Sequence, residues 1–234
     1  MATNLLKLFC DVSSKKLVKS PFDSSSYTLP SFFNGDKIPV EMQLLLPNDR
    51  GGLSSQYKPV TEAVNVELGL VDVAQSPTER AAVTMDIKYK MWSAEIITGG
   101  TNWNVGDTAT VTTTTSVNPA TVKITGATGG VVNAVEILDE GIITTTGAHP
   151  ATGVTTTKLV YANASSTGLT LRIEWATIHT GYLDLSVSAF NTYMGSDLSK
   201  ETSFEARAYN IAGGTAYEET IFQTTATVKA DGFK

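Results

Sequence analysis

Val83-Thr-Met85-Asp-Ile87-Lys-Tyr89-Lys-Met91 carries an apolar residue at every odd position and a polar one at every even position. Successive side chains of an extended strand point to opposite faces, so this run presents one dry face and one wet face. Leu169-Thr-Leu171-Arg-Ile173-Glu-Trp175 repeats the pattern, and Tyr182 to Val187 follows it more loosely. Val64, Val66, Leu68 and Leu70 mark another strand, and Thr220 to Val228 a last one. Ile38 to Leu46 is bounded by Ile38-Pro39 and Pro47-Asn48; proline cannot donate to a ladder, so this reads as an edge-proximal strand. Only Ser188 to Lys200 has the spacing of a short helix, and Gly195 interrupts it. Many short strands separated by turn residues predict an all-β chain folded as an antiparallel β-sandwich.

Composition narrows the function classes. The 234 residues carry a formal net charge of −6, and 17% are charged, below the usual level of about 25%. Hydrophobic residues make up 41%, enough for a sizeable core. An acidic chain without a Lys/Arg cluster is a poor nucleic-acid surface, and no apolar run reaches the roughly 18 residues of a membrane span. The first ten residues lack the basic start and long apolar core of a signal peptide, which points to assembly in a reducing cytoplasm. Threonine runs at Thr112–Thr115, Thr144–Thr146 and Thr155–Thr157 concentrate in a Gly/Thr-rich middle. Three regions are expected: residues 1–36 as an N-terminal arm or connector, 37–97 with 161–234 as the sandwich, and 98–160 as a small inserted β domain.

Gly99-Gly-Thr-Asn-Trp103-Asn-Val-Gly106-Asp107-Thr-Ala-Thr-Val111 resembles the glycine, aromatic, Gly-Asp, valine signature of small β modules in bacteriophage tail and baseplate proteins. The resemblance continues through Ala120 to Ile124 and Val131 to Ile137, and departs where Gly141 is followed by Ile142 rather than an aromatic residue. Tyr27 to Val40, with Asn34-Gly35-Asp36, and Leu183-Asp184-Leu185 through Phe204-Glu205-Ala-Arg207 are similar to immunoglobulin-like modules of phage tail fibres and upper baseplates. The resemblance implies an immunoglobulin-like sandwich with an inserted module. It implies a non-enzymatic virion structural protein of the tail, baseplate or fibre that assembles with copies of itself, as a trimer or larger, and with other virion proteins. A head decoration protein or capsid fibre fits the same modules.

Catalytic chemistry has little to work with. His149 and His179 stand apart, and no Gly-x-Ser-x-Gly, His-Glu-x-x-His or Cys-x-x-Cys occurs. Cys10, beside Phe9, reads as a packing residue. The doublets Asp139-Glu140 and Glu218-Glu219 face opposite ways on a strand, and Asp36 and Asp107 follow glycines as turn formers. No catalytic residue, cofactor or metal site is expected. Trp175 closes an apolar face and reads as core. That leaves a carbohydrate-binding reading: Trp103, flanked by Asn102 and Asn104, would stack on a host surface glycan, with Trp92 as a second platform. The competing reading has Trp103 anchoring the small module's core.

Overall fold

The computed structural model describes residues 5–48, 57–62, 64–71, 79–111, 116–144, 154–158, 166–187, 194–212 and 215–230, and these are nearly all β. The chain forms two compact units: Met1–Val60, Val64–Ile87 and Ile178–Lys234 in the first, Thr61–Ala63 and Lys88–Thr177 in the second. The second unit reaches further on both sides than the 98–160 marked by composition. Its flanking strands carry ordinary apolar alternation, which composition cannot distinguish from that of the first unit.

In the first unit the chain runs through β1 (Leu6–Asp11), β2 (Lys16–Ser20), β3 (Asp23–Ser26), β4 (Phe32–Phe33), β5 (Lys37–Pro47), β6 (Tyr57–Pro59), β7 (Asn65–Val71) and β8 (Glu79–Thr84). β9 (Asp86–Thr101) carries it into the second unit. There β10 (Thr108–Val111), β11 (Ser116–Asn118), β12 (Ala120–Thr128), β13 (Val131–Asp139), β14 (Ile142–Ile143) and β15 (Val154–Lys158) follow. β16 (Thr167–Asp184) returns the chain to the first unit, which β17 (Ser199–Ala212) and β18 (Thr215–Lys229) complete.

Two sheets make the first unit. One has the order β3-β2-β1-β5-β16, with β6 also on β5; the other has the order β4-β18-β17-β7-β8. Leu6, Leu8 and Cys10 of β1 and Met42 of β5 join Leu68 of β7, Phe204 of β17 and Phe222 of β18 in one apolar cluster, so the two sheets share a core. Phe32, Phe204 and Phe222 form its aromatic centre, with successive ring centroids 5.8 and 5.7 Å apart in tilted pairs, an arrangement aromatic quadrupoles favour.

Three expectations change here. Within the stretch expected as an arm or connector, β1 is an inner strand, paired with both β2 and β5, because Leu6, Leu8 and Cys10 alternate into the core. β5 is likewise inner rather than edge-proximal. Its Pro39 lies opposite Tyr182 but precedes Val40, the first residue to pair with β1, so the missing N–H costs little. Finally, the pairing is not wholly antiparallel. β1 runs parallel to β5, and β18 parallel to β4. The residues between β1 and β5 supply the long crossover that a parallel pair needs.

The opening alternation survives across both units. Met85 lies between β8 and β9, 4% exposed, and its N–H donates to Val66 O at 2.8 Å. β8 pairs with β7, whereas β9 pairs with β14 and β16. Tyr89 and Met91 are each 1% exposed, so parity holds while the partners change. In the second unit β10 pairs with β12 and β15, β12 with β13, β15 with β16 and β11 with β14. Thr155–Thr157 lie in β15, and Thr112–Thr115 lie outside the described residues. So does Ser188 to Tyr193, nearly half of the expected helix, and Ser199 already belongs to β17.

Two titratable groups sit in the first unit's interior. The Cys10 thiol donates to Ile221 O at 3.8 Å, and burial, helped by the Asp11 charge, pushes its pKa up to about 12. Such a thiol is inert. A disulfide-exchange reagent is expected to leave the folded protein unlabelled at pH 8 and to label one thiol per chain in urea; prompt labelling of native protein would refute the burial.

His179, fully buried on β16, places Nε2 2.7 Å from Val64 O, just before β7. A carbonyl only accepts, so Nε2 carries the proton and ties one sheet to the other. Burial lowers the imidazole's pKa, and the carbonyls of Val64 and Met42 oppose this without offsetting it. Below about pH 6.5 the unfolded chain therefore binds a proton that the folded chain refuses. This contribution to stability is full above about pH 7.5 and declines as pH falls toward 5, by at most about 1.4 kcal/mol per unit. Urea midpoints measured between pH 8 and 5 are expected to fall for the native sequence and to stay flatter for His179→Gln. Equal slopes would remove His179 as the cause.

Candidate functional site

The turn that joins β9 to β10 holds three of the four side chains singled out for glycan or partner contact. Gly100 begins it at φ +64°, and a Cβ there would lie 2.3 Å from Thr167 O and 2.7 Å from Trp103 Nε1. Only glycine lets the backbone come this close. Asn102 follows at φ +63°, a conformation asparagine tolerates better than most residues. Its carbonyl accepts a 2.6 Å hydrogen bond from the hydroxyl of Ser166.

Trp103 is 2% exposed. Its main-chain N–H donates to Gly130 O at 3.0 Å, and its indole N–H donates to Thr167 O at 3.3 Å. A buried ring offers no face to a sugar, so the stacking role expected of Trp103 gives way to the anchoring one. Asp107 closes the turn. Its Oδ2 accepts the Asn104 N–H at 2.9 Å, and its own N–H donates to Asn104 O at 3.1 Å. Gly106 N–H to Ile124 O and Ile124 N–H to Asp107 O, both 2.8 Å, tie the turn to β12. The exposed rim consists of the Asn102 and Asn104 side chains and Val105, the last 63% exposed.

Trp92 stands on β9, half-buried, on the face opposite Met91. The other candidate groups are held in structural roles. Asp139 accepts the Gly141 N–H at 2.8 Å, Glu140 lies 3.7 Å from Lys90, and Glu219 lies 3.2 Å from Lys15. Burial raises the Asp11 carboxyl, but hydrogen bonds from the Ser14 side chain and backbone, from Ser13 and from Tyr57 more than compensate and hold it below its usual value. Trp175 is 1% exposed, as expected of a core residue. His149 lies outside the described residues. Ser166 and Thr167, which hold the turn from β16's side, carried no signal of their own: one acts through a hydroxyl and the other through a main-chain carbonyl. No group of three or more His, Cys, Asp or Glu able to hold a metal ion occurs among the described residues, and no helix there is long and apolar enough to cross a membrane.

Trp103→Ala is expected to cost about 3–5 kcal/mol, the usual range for removing a buried aromatic ring. Trp103→Phe keeps most of the packing and loses the indole hydrogen bond, about 1 kcal/mol. Urea unfolding of both variants checks the order, and a neutral Trp103→Ala would mean that the ring does not anchor the unit. No protein-family model matches the chain, and no curated protein or solved structure does either.

Proposed function

We propose that the chain is a non-enzymatic structural subunit of a bacteriophage virion, an immunoglobulin-like sandwich with an inserted β module, in a tail fibre, baseplate or related appendage. The observation that carries this reading is the use made of the Gly99–Val111 signature. Its tryptophan and aspartate are spent on holding a turn, and its rim residues Asn102, Asn104 and Val105 face solvent. That suits a module whose task is to keep a shape against neighbours. Among the described residues, Cys10 and His179 are both fully buried within the first unit.

Adhesion then rests on area. Phe22, Val105, Val117, Leu138, Tyr182 and Leu198 are each at least 57% exposed, and stable interfaces usually bury above ~1,000 Å² in total. Apolar rim residues of this kind gain free energy when a second surface removes them from water. The low charge density suits a subunit that must approach copies of itself.

Light scattering coupled to size-exclusion chromatography is expected to return the mass of a trimer or larger assembly. Gold-labelled antibody against the chain is expected to mark tails of intact phage particles. A strictly monomeric protein at high concentration, together with unlabelled particles, would overturn the reading.

A further inference from the structure

Asn34-Gly35 is the one Asn-Gly step in the chain. Glycine has no side chain to shield its amide nitrogen from the preceding carboxamide, so this dipeptide is where an asparagine cyclises most readily. The fold places it in the turn between β4 and β5, with Gly35 at φ +95°, as the third residue of a type II turn requires. Three consecutive amides are committed there. Asn34 N–H donates to Lys229 O at 2.8 Å, Gly35 N–H to Leu185 O at 3.1 Å, and Asp36 N–H to Phe33 O at 3.1 Å. Leu185 N–H returns a bond to Asp36 O at 2.7 Å. Phe32, 2% exposed in the aromatic centre of the core, fixes the strand that leads in. The Asn34 Oδ1 is buried with no hydrogen-bond partner among the described residues.

We propose that Asn34-Gly35 is a modification site gated by the fold, inert while this turn is closed and converted to aspartate or isoaspartate when it opens. In the open chain the Gly35 nitrogen loses its proton to hydroxide and attacks Asn34 Cγ. The N–Cγ bond forms, the Cγ–Nδ2 bond breaks, and Nδ2 takes a proton from water and leaves as ammonia. Water then adds to one of the two ring carbonyls of the succinimide and breaks one C–N bond, giving aspartate or isoaspartate. No oxidant or reductant takes part.

In the closed turn the attacking nitrogen is engaged with Leu185 O, so reaction has to wait for local opening. Both products oppose reclosure. Aspartate puts a charge on a buried carboxamide position two residues from Asp36, and isoaspartate adds a methylene to a backbone whose amides are matched to Lys229 and Leu185.

The full chain is incubated at pH 8.5 and 37 °C in native buffer and in concentrated urea, and the peptide containing residue 34 is followed by mass spectrometry. The native rate is expected to be slower by about tenfold or more, since it is scaled by the fraction of open turn. In urea, Asn34→Gln is expected to abolish the mass gain in that peptide, which assigns the site without requiring the variant to fold. Equal rates in the two conditions, or no gain at Asn34 in urea, would overturn the proposal.

Discussion

An extended strand gives its side chains no choice of face, and this constraint decides where both cores of the chain lie. β16 shows it most plainly. Leu169, Leu171, Ile173 and Trp175 are buried at alternate positions in the second unit, while from Trp175 to His179 both faces of the strand are buried. A one-residue slip would bring Arg172 and Glu174 to the buried side and expose the apolar set. The same holds for β9, whose Tyr89 and Met91 continue the odd-position face begun at Val83 and Met85. Register is therefore secured by burial over lengths that no single turn could govern. From β8 to β9 the chain changes pairing partners without changing parity.

That constraint explains which features are legible from residues alone. Period-2 alternation located the strands of both units, because it is a local property written into neighbouring positions. The inner placement of β1 was not legible. Leu6, Leu8 and Cys10 make a run too short to separate from a stray apolar segment, and only the long crossover to β5 shows them to be core. Parallel pairing left no mark for the same reason: it depends on what lies at a distance, and hydrophobic alternation reads alike in either direction. Composition found the heart of the second unit but not its limits, since β9 and β16 look like ordinary sandwich strands throughout.

At the candidate site the difficulty was of another kind. A tryptophan between two asparagines in a glycine-rich turn looks the same whether its ring faces solvent or core. The choice is made by partners remote in sequence, Gly130 and Thr167, which bond its main-chain and indole N–H groups. The glycines that admit this packing were visible as turn residues. Their closeness to other backbone was not, since it arises only when strands distant in the chain are laid together. Polar residues followed the same logic. Asp107 read as a turn former and Asp139 as a solvated acid, while Asp11 drew no reading, and each accepts backbone amides that the turns would otherwise leave unpaired.

The second unit shows why its few large rings carry so much. Its buried residues from β10 and β12 are Ala109, Val111, Ala120, Val122 and Ile124, mostly small, and its threonines spend a branch of each side chain on a hydroxyl. Small side chains let strands pack closely but bury little apolar area apiece, so each contributes modestly on the scale of area removed from water. Large rings then supply a disproportionate share of the unit's burial: Trp103, fixed by two hydrogen bonds, together with Trp175 and Tyr89. Spending the tryptophan inside leaves the exposed rim of the turn to Asn102, Asn104 and Val105.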